Sequence, residues 1–209
     1  EDLAYLPHVE SSYDAEARSK AGALGLWQLM PDTGARFLTI NAALDERRDP
    51  LLATHAAAKL LQGNLNKLET WPLALTAYNH GLTAVLRAKN SLGTYERIYQ
   101  GYDGPHFGFA SRNFYAEFLA AREIASNYRH YFPDLHLSPP LTFKETALKK
   151  ASTIREVSHQ FKVDQSTLAA LNPALLKAVW DGKRPIPPGY PLRLPQSARA
   201  TSRQAHKKR

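Results

Sequence analysis

The sequence predicts a mainly helical domain followed by a small β-α-α-β module, and three observations carry that expectation. Apolar residues recur at three- and four-residue steps from Leu51 to Leu68 and from Phe114 to Ala125, the spacing of helices with one buried face. Pro133, Pro139 and Pro140 then interrupt the chain, because proline cannot continue a helix. Beyond them Tyr190-Pro191-Leu192-Arg193-Leu194 alternates with the period of a strand.

Asp2 to about Glu10 reads as a short apolar helix, and Pro31 to Leu38 as another whose proline suits a first turn. Asp49 is a side-chain cap ahead of Pro50, and the long helix that follows carries Leu51, His55, Ala58, Leu61, Leu65 and Leu68 on one stripe. Pro72 to His80 forms the next helix, stopped by Gly81, and Leu82 to Lys89 continues after the turn. Gly93 to Gly108, rich in Gly, Tyr and Pro, reads as an ordered surface loop. Ala110 to Tyr128 closes the bundle with Phe114, Phe118, Ala121 and Ala125 facing one way.

These helices make one domain over residues 1–136, and Phe132 to Pro140 is its exit linker. In the module that follows, residues 137–195, Leu141 to Leu148 can be extended, while Thr153 to Phe161 and Gln165 to Leu171 are two short helices. So small a unit needs its helices to cover the strand pair well, or part of its core to come from the first domain. Residues 196–209 hold five Lys/Arg and no acid, and read as a disordered basic tail.

The composition excludes several function classes. With no cysteine there is no disulfide scaffold, thiol nucleophile or Cys-ligated zinc. The eight histidines lack the paired helical spacing of a metal site, and no phosphate-cradling glycine loop or nucleophile elbow occurs, so neither metal nor organic cofactor is expected. No run approaches the roughly 18 apolar residues of a membrane helix, and no basic-then-apolar leader opens the chain. A key carboxylate ten residues in suggests that upstream sequence has been removed, and any signal or membrane anchor would have gone with it.

The net charge of +8 belongs to the second half: residues 1–136 carry 13 Lys/Arg against 15 Asp/Glu, and residues 137–195 carry 9 against 4. A helix-turn-helix reading of residues 153–171 competes here, but Asp164 places a negative charge where a recognition helix begins. Nucleic acid is therefore not expected as a partner.

Glu10 is the leading candidate for chemistry. An apolar segment, Leu6-Pro7-His8-Val9, delivers it next to the Gly-rich polar turn Ser19 to Pro31, a setting that can keep a carboxylic acid protonated near neutral pH. A glycosidase-type general acid is the reading that follows. Most glycosidases use two carboxyl groups. Here Asp14 and Glu16 sit in a polar loop and Asp49 reads as a cap, which leaves one convincing acid.

Glu10-Ser11, then Ser19-Lys20-Ala21-Gly22-Ala23-Leu24-Gly25-Leu26-Trp27-Gln28-Leu29-Met30-Pro31, then Ala77-Tyr78-Asn79-His80-Gly81 resemble, in order, the three signature blocks of soluble-lytic-transglycosylase-like murein enzymes. The first two blocks are similar to those of the membrane-bound D-type branch. The resemblance implies a lysozyme-like helical fold, peptidoglycan glycan strands as substrate and a periplasmic or cell-envelope location. It also implies that Glu10 protonates the oxygen bridging N-acetylmuramic acid and N-acetylglucosamine and then acts as base. The sugar's own C6 hydroxyl attacks C1, leaving a 1,6-anhydro end without consuming water.

By the same resemblance Ser19 hydrogen-bonds near the catalytic carboxyl, and Gln28 and Met30 line the sugar cleft. Tyr78 points its hydroxyl at the acid, and Asn79 orients the turn or a sugar group. His80 replaces a small residue and takes no catalytic step. Where the family often has a Glu-Thr-Arg-x-Tyr-Val block, this chain has Ala110-Ser111-Arg112-Asn113-Phe114-Tyr115, so either Phe114 or Tyr115 stands for the second active-site tyrosine. One step on a helix is a rotation of about 100°, so both cannot face the cleft equally.

Residues 153–173 and 186–195 resemble a divergent LysM repeat, a module that binds glycans containing N-acetylglucosamine. The usual Gly-Asp-Thr opening is replaced by Lys149-Lys150-Ala151-Ser152-Thr153. A hydrolytic muramidase or chitinase of the same fold, a non-catalytic glycan-binding scaffold, and a purely buttressing second module stay open as alternatives.

Overall fold

The computed structural model describes residues 2–198. A 3-10 turn at Asp2–Tyr5 leads into α1, Leu6–Ser11, so the expected single helix is split. Pro7 explains the split, since it lacks an N–H and tolerates only a first turn. A loop with isolated bridges, Arg18 to Leu24 and Leu24 to Leu29, leads to α2, Pro31–Gly34. That helix stops short of Leu38, and its Gly34 lies so close to Arg47 that a Cβ would collide with the Arg47 side chain.

The long helix α3 spans Pro50–Leu68, and Asp49 caps it by accepting from the Leu51 and Leu52 N–H groups at 3.0 and 3.1 Å. Its buried stripe differs from the expected one. Ala53, Ala56, Ala57, Leu61, Asn64 and Leu68 face inward, while Leu51 and His55 are exposed. Alanines let α4, Trp71–His80, approach closely, so the face chosen is the small one rather than the more aliphatic one.

Helix α5 is Leu82–Leu92, and α6, Tyr95–Gly101, occupies the segment expected to be a loop. Thr94 caps α6 and Ile98 anchors it in the core with Leu68, Val85 and Phe107. Helix α7, Phe109–Ser126, buries Phe114 and Phe118 against Leu6, Trp27, Leu29, Ala57 and Leu75, and α8, Tyr128–Tyr131, ends the bundle.

The C-terminal part has the expected order with one addition. Strand β1, Lys144–Ala147, is followed by α9, Ile154–Phe161, whose Thr153 and Glu156 form a capping box. Next come α10, Gln165–Leu171, capped by Asp164, and a short unforeseen α11, Lys177–Trp180. Strand β2, Pro191–Leu194, pairs antiparallel with β1, Lys144 opposite Leu194 and Ala147 opposite Pro191.

This part does lean on the helical bundle. Leu44 belongs to the core formed by Ile154, Val157, Leu168, Ile186 and Leu192, and bridges to Leu175. Asp45 N–H donates to the Ala174 carbonyl at 2.9 Å, and Leu176 N–H to that of Ala43 at 2.9 Å. At the centre of the contact Arg193 Nη1 meets Asp49 at 2.5 Å and its Nε meets Glu145 at 3.0 Å. Burial opposes the Arg193 charge, but its two carboxylate partners outweigh that and hold its pKa above the ordinary value. Of the stretch read as a tail, Ala198 is buried while Gln196 and Ser197 are exposed, and residues 199–209 lie outside the described residues.

Candidate active site

Three segments converge on Glu10. Helix α1 ends just beyond it, where Ser12 and Tyr13 take left-handed backbone angles and Ser11 Oγ donates to the Leu26 carbonyl at 2.9 Å. That bond fixes the end of α1 to the Gly-rich turn. From α4, the Tyr78 hydroxyl donates to the neighbouring Trp27 carbonyl at 2.7 Å. Trp27 itself is buried and donates from Nε1 to Thr54 Oγ1 on α3 at 2.8 Å.

The electrostatics follow from that enclosure. Glu10 is raised from 4.5 to about 7, and its cause is burial, with no neighbouring charge contributing. Among the described residues its carboxyl has no hydrogen-bond or ion-pair partner, so it is free to meet a ligand. Burial, and second the charge of Glu10, push the Tyr78 phenol well above its ordinary value, which makes Tyr78 and Glu10 neighbours. A carboxylic acid kept neutral by its surroundings can donate a proton at neutral pH.

The other expected residues divide. Gln28 lies in this turn with a left-handed backbone, and its amide nitrogen donates to the Ala17 and Gly25 carbonyls at 3.1 and 2.9 Å. Its donor capacity is spent on holding the turn, and its amide oxygen is left over. Ser19 Oγ accepts from the Ala23 N–H at 2.9 Å, and among the described residues it has no hydrogen bond to Glu10. Met30 is 42% exposed rather than packed inside. Asn79 is exposed and accepts from Ser111 Oγ at 2.9 Å, tying α4 to α7.

The two candidates for the second tyrosine differ in burial and in partners. Phe114 is only 3% exposed in the core. Tyr115, one step round the helix, meets the Tyr95 ring edge-on at 5.3 Å and lines a separate hollow with Leu3, Trp71 and Leu75. His80 sits beside Phe107 with its Nδ1 3.2 Å from Ser111 Oγ, and burial, then His106, lowers its pKa.

Sequence reasoning missed the clamp beneath the turn. Arg47 is buried, pairs with Asp45 at 2.7 Å, and donates from Nη1 to the Gly22 and Leu29 carbonyls, both at 3.0 Å. Gly25 has a φ of +76°, and a Cβ there would collide with the Arg47 carbonyl oxygen. The usable signal was the string of glycines at 22, 25 and 34, which marks a backbone pressed against something. Within Glu46-Arg47-Arg48-Asp49 nothing distinguishes the buried guanidinium from solvated neighbours. Among the described residues no group of three or more His, Cys, Asp or Glu could hold a metal.

Comparison with known proteins agrees with this geometry. Residues 1–100 match the family model described as the transglycosylase SLT domain. The matched stretch contains Glu10, the clamped turn and Tyr78. The chain is 29% identical over 188 residues to membrane-bound lytic murein transglycosylase D of Escherichia coli strain K12, covering 82% of this chain and 41% of that protein. The same figures hold for its counterpart in E. coli O6:H1. A putative tributyltin chloride resistance protein of Alteromonas sp. strain M-1 is 34% identical over 93 residues, 44% of this chain and 45% of that protein. The chain therefore spans about two fifths of the length of these relatives.

Proposed function

We propose that the protein is a murein lytic transglycosylase that cuts the β-1,4 bond between N-acetylmuramic acid and N-acetylglucosamine. Glu10 gives its proton to the bridging oxygen, the C1–O4 bond breaks, and the C6 hydroxyl of the muramoyl sugar attacks C1. Glu10, now a carboxylate, takes the C6 hydroxyl proton, so the acid is regenerated and no water is consumed. Tyr78 and the carbonyl-bound turn position the acid, and the Gln28 amide oxygen is available to a sugar N–H or hydroxyl.

One observation carries the reading: Glu10 is raised to about 7 by burial alone, with no second carboxylate contributing. An acid and a base in one group suit attack by the sugar's own hydroxyl, whereas a water-using retaining or inverting enzyme needs a second carboxylate at defined separation. Similarity to an enzyme named as a murein transglycosylase supports the same substrate. An envelope location accompanies that substrate, and no described helix is long and apolar enough to cross a membrane. Residues 1–136 would be the catalytic domain and residues 137–195 a LysM-like glycan-binding module, with β1, α9, α10 and β2 in the order such a module requires.

Digestion of purified murein sacculi followed by mass spectrometry tests the reaction. The expected products carry 1,6-anhydro ends, lighter by one water than hydrolytic products, and Glu10→Gln releases none. Products with full-mass reducing ends would make the protein a hydrolase instead.

A further inference from the structure

A hollow beside the candidate active site gathers positive charge without any anion to balance it. Lys59 and Lys67 stand two turns apart on α3, Arg36 follows α2 across from them, and Tyr78 forms part of the same wall. None of the three cations is in an ion pair among the described residues. The Arg36 guanidinium lies over the Phe37 ring at 5.3 Å, which holds it at the rim.

Gly63 makes the space. It sits between Lys59 and Lys67 on the same face of α3, and a Cβ there would meet nothing within 4 Å. A glycine inside a long helix costs stability relative to alanine, yet here no neighbour demands it. The missing side chain adds open floor between two lysines to a pocket of about 170 Å³. The bundle as a whole is nearly neutral, so this cluster is a local feature rather than a share of the chain's excess charge.

Resting on the reading proposed above, we infer that this pocket binds free carboxylates of the peptide stem that branches from the muramoyl sugar. Tyr78 belongs both to the pocket wall and to the neighbourhood of Glu10, which links the pocket with Arg36, Lys59 and Lys67 to the place where the branched sugar would sit. A stem peptide carries carboxylates from its acidic residue and its C-terminus, and guanidinium and ammonium groups with no internal partner are their complement. The pocket then selects stem-bearing glycan over stripped glycan.

The test uses the full chain with two variants, Lys59→Glu with Lys67→Glu, which reverses the charge, and Gly63→Leu, which fills the floor. Each is titrated with a stem tetrapeptide and with the same peptide amidated at its carboxyls. Each is also assayed on intact sacculi and on strands stripped of stems by an amidase. The free-acid peptide is expected to bind the parent chain at least about fivefold more tightly than the amidated one, a preference both variants lose. On intact sacculi kcat/KM should fall about tenfold more than on stripped strands.

Equal binding of the two peptides to the parent chain, or equal losses on both substrates, overturns the assignment. If the parent chain cleaves neither substrate yet binds the free-acid peptide in this way, the pocket stands and only the catalytic reading fails.

Discussion

Glu10 shows how one side chain links stability to activity. Its folded pKa, about 7, lies above the unfolded 4.5, so the folded protein holds this proton more tightly. The stabilisation is full below about pH 4.5 and is lost as pH rises to about 7. Above that, the buried carboxylate weakens the fold by about 2 kcal/mol, less than the full linkage value of about 3, because the group keeps some contact with water. Glu10→Gln should therefore stabilise the protein by about 2 kcal/mol at pH 8 and hardly at pH 4, read by urea denaturation. The same substitution should cost at least about a thousandfold in turnover, and the parent activity should fall as pH rises through 7. That Tyr78 lies near Glu10 was legible from their motif blocks. The orientation of Phe114, Tyr115 and Gln28 was not, because a helix register or a turn's free carbonyls are defined only by what packs against them.

At the scale of elements, the turn from Ser19 to Pro31 is an irregular segment made rigid from outside. Arg47 meets two of its carbonyls, Tyr78 a third and Ser11 a fourth, while Trp27 is pinned to α3. Replacing Arg47 by Met leaves Asp45 buried without its cation, and should cost about 3–5 kcal/mol in a thermal melt. Gly25→Ala should cost more than about 2 kcal/mol, since it combines a left-handed backbone with a collision. The long helix carries a related lesson. Its existence and cap were readable from Asp49-Pro50 and the spacing beyond, but its inward face was decided by the close approach of α4, which favours Ala53 and Ala57 over Leu51. Helix α6 was missed because the glycines, tyrosines and proline of residues 93–108 look like loop composition, while its buried anchor is one residue, Ile98.

For the whole molecule, the two parts share a core rather than hang from a linker. Leu44 lies inside the C-terminal cluster, and the Asp49 carboxylate that caps α3 also accepts the buried Arg193 guanidinium. Arg193→Ala should therefore destabilise both parts together, by about 3 kcal/mol, and leave a single unfolding transition by circular dichroism. A chain ended at residue 136 should melt lower than the full chain and bind a hydrophobic dye, since Leu44 loses its partners. Two independent transitions in the full chain would contradict the shared core.

What the sequence determined by itself is local: which segments are helical, where prolines and caps begin them, where strands return, and which three blocks carry a protonatable glutamate with its tyrosine. Periodicity, turn chemistry and motif order are properties of neighbours along the chain. Tertiary structure alone decided that Arg47 clamps the turn from Ser19 to Pro31, that Arg193 reaches back to Asp49, and that Gly63 opens a floor between two lysines. Each of those depends on residues far apart in the chain, and burial converts an ordinary charge or a missing side chain into a specific partner.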